Sequence, residues 1–272
     1  MAYAISWVIW LPMYGPAIGI HGLPQFRYQH AVGAYGPMLA ALLVTAFSNG
    51  KATSRLLKSG LSVSNLPLLF IALFGPFILL LISMLVGQQW LHIPADISHV
   101  GASNELAGWD VFQVIMFNIL TFGIGEEMGW RGVALPMLQS KYTALKASVI
   151  LTVFWAGWHA PLFLYRPGYM HMDMAGATGW LLSLLTGSIL TTWLYNSSRG
   201  NVLICAVFHA TIDVAFSSPG CDARISAIMG MLITLSGILV VIIFGYRNLS
   251  SLNRVQLRSR LIADMHSTIK HT

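Results

Sequence analysis

Three apolar strings in this sequence are interrupted by side chains that ionise. Glu126, Glu127 and Arg131 lie in TFGIGEEMGWRGVALP, His159 in FWAGWHAP, and His209 with Asp213 in VFHATIDVAF. A carboxylate and an imidazole around one water form a hydrolytic arrangement, in which the base takes a proton and the water attacks a carbonyl. A second histidine with a polar neighbour could stabilise the oxyanion that develops. No Gly-Xaa-Ser-Xaa-Gly elbow is present and no Cys–His pair has an obvious activating context, so serine or cysteine nucleophiles are poorly supported. His159, His209 and Glu126 could instead ligate zinc, since two histidines and a carboxylate are a known hydrolytic ligand set. The zinc-protease string HExxH is absent. The residues alone leave the metal-free and zinc versions open.

Spacing sorts the groups. Glu127 and Arg131 are four apart, on one helical face, where an ion pair forms. Glu126 is offset by about 100° and is left to point into the interior. His209 and Asp213 share the four-residue spacing, so Asp213 can orient a ring nitrogen of His209 or line the same pocket. Trp155 stands one turn before His159 and supplies an aromatic wall. Gly123, Gly125, Gly129 and Gly132 thin the helix around the acidic pair, for close helix approach or to admit a substrate backbone.

The elements that must position these groups are membrane helices. Of 272 residues, 56% are hydrophobic and 9% charged, against roughly 25% charged in soluble domains. Apolar runs at about 2–20, 31–48, 66–87, 110–137, 148–166, 176–197, 201–218 and 225–246 predict an all-α bundle of about eight transmembrane helices. The first is short and carries Pro12 and Pro16, but lacks the basic start of a signal peptide. Pro16, Pro37 and Pro76 are expected to kink their spans.

Eleven basic residues fall in loops on one side: Lys51, Arg55, Lys58, Lys141, Lys146, Arg199, Arg247, Arg254, Arg258, Arg260 and Lys270. Only Arg27, Arg166 and Arg224 fall opposite. The positive-inside rule then puts both termini in the cytoplasm. The net charge of +6 is explained by this placement and does not indicate nucleic acid. Residues 88–109 read as an interfacial loop anchored by Trp90 and Trp109. The tail from Leu252 to Lys270 reads as a topology-fixing tail or an amphipathic helix on an anionic leaflet. Cys205 and Cys221 suggest no disulfide.

Ionisable groups inside spans are expensive, and here they concentrate in spans four, five and seven. At 1.5 Å per residue, His159 and His209 lie about 17 and 12 Å in from the cytoplasmic end, so the three helices can share one site. Interhelical glue would not need two carboxylates, an arginine, two histidines and an aspartate. An ion-coupled transporter is the rival class, but no internal repeat is visible.

Glu126-Glu127-Met128-Gly129-Trp130-Arg131, Trp155 before His159, and His209 before Asp213 resemble the three motifs of the CPBP family of intramembrane proteases. That family includes type II CAAX prenyl endopeptidases and bacteriocin-immunity-like proteins. The EExxxR motif matches in full, Trp155 replaces the usual Phe, and Asp213 takes the Asn/Asp position. The resemblance implies Glu126 as general base, His159 holding the attacking water, His209 and Asp213 serving the oxyanion, and Glu127 with Arg131 as a supporting pair. Ionised Asp213 cannot donate to an oxyanion, which leaves donation to His209. The resemblance further implies no cofactor, with zinc as the alternative, and a membrane-associated protein or peptide substrate, lipidated or not. A prokaryotic plasma membrane is the implied location. The catalytic core falls at 110–218, between N-terminal spans at 1–109 and a last span with its basic tail at 219–272. A non-catalytic scaffold or immunity protein is also compatible with the motifs.

Overall fold

The structure is a computed structural model that describes residues 1–48, 50–94, 96–218 and 223–256. Cys221 and the tail beyond residue 256 lie outside the described residues. The regular structure of the described residues is all helical, with no strand among them. In chain order the principal helices are α1 (Ala2–Tyr14), α2 (Gln29–Phe47), α3 (Gly50–Leu61), α4 (Leu66–Leu91) and α5 (Val111–Gln139). They continue with α6 (Ala144–Leu164), α7 (Met174–Ser197), α8 (Val202–Ser217) and α9 (Ala223–Asn248).

Among the described residues, six of these, α2, α4, α5, α6, α7 and α9, are long and apolar enough to cross a membrane. The other two predicted spans are helical but short. α1 has 13 residues because Gly15 and Pro16 turn the chain into a tighter 3₁₀ turn, Gly15–Ile18. α8 has 16 residues, about 24 Å against a hydrocarbon core of about 30 Å. Asn201 caps its start by accepting from Ile204 N, and Ser217 ends it. The fold is a polytopic helical membrane bundle.

Outward faces carry apolar side chains, as lipid requires. On α4, Phe74, Ile78, Leu81 and Leu85 are exposed, and on α9, Leu235, Leu239, Ile242 and Ile243. Their inward faces pack with α7 and α8 in a core of Leu80, Met84, Leu194, Ile204, Ile225 and Met229. A second core, rich in aromatics, joins Trp10, Trp130, Trp155, Trp158 and Tyr195 around the other end of α5 and α6.

The prolines act differently from one another. Regular helix stops at Gly33 and restarts at Gly36 in α2, since Pro37 cannot donate to the carbonyl one turn back. Pro76 is buried inside α4 without ending it, and Pro16 lies beyond α1 rather than within it. The basic stretch after α2, read as a loop, is the helix α3; its Lys, Ala, Arg and Leu residues are good helix formers and Leu56 gives it a buried anchor. α4 runs on to Leu91, so the interfacial segment is shorter than expected and is tied to the end of α8 by Gly101 N donating to Ser218 Oγ at 2.9 Å.

Candidate active site

α5 is irregular where it carries the acidic pair. Wider π-helical turns at Ile119–Gly123 and Trp130–Ala134 flank the α-helical Ile124–Gly129. Each such turn admits an extra residue and re-aims the side chains beyond it, a distortion common at functional sites. Close packing fixes the segment. A Cβ on Gly123 would meet the carbonyl oxygen of Ala206 on α8 at 2.4 Å, and one on Gly129 would meet Pro37 at 2.5 Å. These notches are filled by neighbouring helices and leave no room there for a substrate backbone.

The two glutamates, both buried, have separate partners. Glu127 Oε1 accepts from Arg131 Nη1 at 2.8 Å, the contact the i,i+4 spacing predicts. The same oxygen lies 2.8 Å from His209 Nδ1. A carboxylate paired with arginine can only accept, so Nδ1 carries a hydrogen. Arg131 also donates to Ser188 Oγ at 3.2 Å and lies over the Trp155 ring, 4.7 Å from its centroid. The arginine, wholly buried, is thereby held by α5, α6 and α7 together.

Glu126 faces the other way. Its Oε2 accepts from Trp155 Nε1 at 2.7 Å, while Oε1 stands 4.0 Å from His209 Nε2. Asp213 Oδ2 approaches the same Nε2 at 3.4 Å. The imidazole of His209 thus bridges Glu127 on one nitrogen and the Glu126–Asp213 side on the other. Asp213, with 42% of its side chain exposed, is the open member of the set, against 7% for His209 and 4% for Glu126.

His159 terminates the regular turns of α6, just before Pro161. Its Nδ1 donates to the Trp155 carbonyl at 2.7 Å, since a carbonyl only accepts, leaving Nε2 as the free ring position. Aromatic rings surround it: Trp158 edge-on at 5.0 Å, Trp155 at 5.8 Å, Trp180 at 5.9 Å and Tyr169 stacked at 6.3 Å. Trp155 also meets the His209 ring edge-on at 5.3 Å. One tryptophan therefore touches Glu126, Arg131, His159 and His209.

Ser188, Tyr169 and Trp180 were not singled out in the sequence. Ser188 is one of several hydroxyls in α7, and Tyr169 sits in a one-turn helix, Pro167–Met170, where nothing in the local pattern points inward.

Among the described residues, no three or more His, Cys, Asp or Glu side chains are grouped so as to hold a metal ion. His159 and His209 each commit Nδ1 to a hydrogen bond, and the set His159, His209 and Glu126 is not assembled as a ligand group.

The helical bundle thus holds a buried Glu–Glu–Arg–His–His constellation beside a half-open aspartate. Residues 108–215 match the family model described as type II CAAX prenyl endopeptidase Rce1-like. The chain is also 27% identical over 186 residues to CAAX prenyl protease 2 of Methanococcus maripaludis, covering 65% of this chain and 68% of that protein. Over the matched segment the chain is similar to the Rce1-like CAAX prenyl proteases.

Proposed function

We propose that this protein is an intramembrane endopeptidase that hydrolyses a peptide bond with a water activated by Glu126. The supporting observation is the division of labour between the two glutamates. Glu127 is engaged by Arg131 and His209, whereas Glu126 is anchored through Oε2 and keeps Oε1 turned toward His209 Nε2. In the proposed reaction, water donates a proton to Glu126 and attacks the scissile carbonyl, with His159 Nε2 accepting a hydrogen bond from the O–H that the water keeps. The tetrahedral oxyanion is stabilised by His209, donating through Nε2–H while Nδ1–H stays on Glu127. Collapse breaks the C–N bond, and Glu126 passes its proton to the leaving amine. Asp213 restrains the His209 ring, and Arg131 neutralises Glu127.

The substrate class is a membrane-associated protein or peptide. The relative's name suggests one ending in a prenylated cysteine motif. The catalytic core corresponds to residues 110–218. The topology that goes with this reading has eight crossings, with α1 and α8 as short or partial spans, and both termini in the cytoplasm of a prokaryotic cell.

The test is to incubate purified protein in liposomes with a farnesylated peptide ending in a CAAX sequence and identify products by mass spectrometry. A tripeptide released behind the farnesylated cysteine is the expected result. An intact peptide, with folded enzyme present, counts against the substrate class.

A further inference from the structure

The helix α3 plays no part in the proposed chemistry, yet its surface is organised. In sequence, Lys51, Arg55 and Lys58 recur at four- and three-residue spacing, opposite Leu56 and Leu57. That is the pattern of a helix lying along a membrane surface. Between the end of α2 and α3 opens a cleft of about 860 Å³, lined by Ala46, Leu57 and Leu61 together with Thr53, Ser54, Lys58 and Ser62. Lys58 is exposed, and so are Leu61 at 72% and Phe47, at the adjoining end of α2, at 87%. A cationic amine beside hydroxyls, bordered by exposed apolar side chains, matches a phosphodiester with its acyl chains alongside.

From this geometry we infer that the α2–α3 cleft is a binding site for the headgroup of an anionic phospholipid. On the topology proposed above, the cleft faces the cytoplasmic leaflet, where anionic lipid and the attraction for basic residues are found. The site is also joined to the helices that carry the buried constellation. Leu56 is buried against Gly132 of α5, where a Cβ would meet its Cδ1 at 2.4 Å. Met128 of α5 lies over Gly60, 3.3 Å from where a Cβ would stand. Asn201, at the start of α8, donates to Ser62 O and Ser64 Oγ, both at 2.9 Å. Lipid bound in the cleft therefore braces α3 against the two helices that carry Glu126, Glu127 and His209.

Native mass spectrometry of the protein released from nanodiscs of equimolar phosphatidylglycerol and phosphatidylcholine tests this directly. Wild type should retain phosphatidylglycerol over phosphatidylcholine by about fivefold or more, the effect of one basic residue at a membrane surface. Lys58→Glu should abolish that preference and Lys58→Ala reduce it, whereas Lys141→Glu, at an exposed lysine on the same side of the bundle, should keep it. Phosphatidylglycerol should also raise the melting temperature of wild type but not of Lys58→Glu. Equal retention of the two lipids by wild type overturns the inference. So does a preference that survives Lys58→Glu, or one lost equally in Lys141→Glu. Retention is read without any substrate, so failure of the hydrolase reading leaves this result standing, and the reverse also holds.

Discussion

At the scale of single residues, each buried charge has a partner whose loss is measurable. Arg131→Met leaves Glu127 facing only His209, and Glu127→Gln leaves Arg131 without a counter-charge. Breaking a buried pair by removing one partner costs about 3–5 kcal/mol, so both variants should show reduced folded yield and a lowered melting temperature in detergent. Trp155→Phe is a finer probe, because it keeps a ring beside both histidines but deletes the indole N–H that holds Glu126. A hydrogen bond to a charged group contributes about 1.5–3 kcal/mol, so the rate should fall by about tenfold or more with folding intact. The spacing exposed Glu127 with Arg131, but not the longer-range contact between Glu127 and His209 Nδ1, because nothing in sequence reports which faces of α5 and α8 meet. Asp213, the only neighbour of His209 visible by spacing, approaches the other nitrogen. Metal dependence belongs to this scale too. Activity should persist under a strong chelator, with elemental analysis finding no stoichiometric zinc; loss on chelation and recovery with zinc would promote His159 and His209 to ligands.

At the scale of elements, α5 is shaped by what it packs against. Gly123→Ala drives a methyl into the backbone of α8 at Ala206, a contact no flexible side chain can relieve. Overpacking of this kind costs about 1–3 kcal/mol and would displace the helix that carries His209, so melting temperature and activity should fall together. Gly187→Ala on α7 meets nothing within 4 Å and is the matched control, expected to be neutral or slightly stabilising. A Gly123→Ala protein as stable and active as wild type would mean that the close approach of α5 and α8 does not position the site. Hydropathy located every principal helix except α3, whose charged residues concealed its periodicity. The π-helical turns of α5 were illegible, since they arise from packing between helices and have no local sequence signature.

At the scale of the whole molecule, the all-helical membrane architecture was legible because composition alone leaves no other solvent than lipid for so apolar a surface. The number of crossings is a different matter. Six helices meet the length of a bilayer among the described residues, while α1 and α8 are too short to do so unaided. Charge asymmetry, with 11 basic residues between or at the ends of the spans on one side and three on the other, is what supports eight. A reporter fused after Thr272 should read out as cytoplasmic, and an extracytoplasmic signal would remove an odd number of crossings from the proposed topology. The polar knot at that end of the bundle is firm. Gln139 and Asn196 exchange amide hydrogen bonds of 3.1 and 2.8 Å, and Asn196 also holds the Asn248 carbonyl at 2.8 Å. These contacts keep the end of α9 against α5 and α7.

The central claim is that Glu126, and not its neighbour, is the base. Glu126→Gln keeps the size of the side chain and can still accept from Trp155 Nε1, but it cannot take a proton from water. With wild type and variant matched for melting temperature and reconstituted in the same liposomes, cleavage of the farnesylated peptide by Glu126→Gln should fall by about 10²–10⁴-fold. Cleavage at the wild-type rate by a folded Glu126→Gln protein would contradict the account.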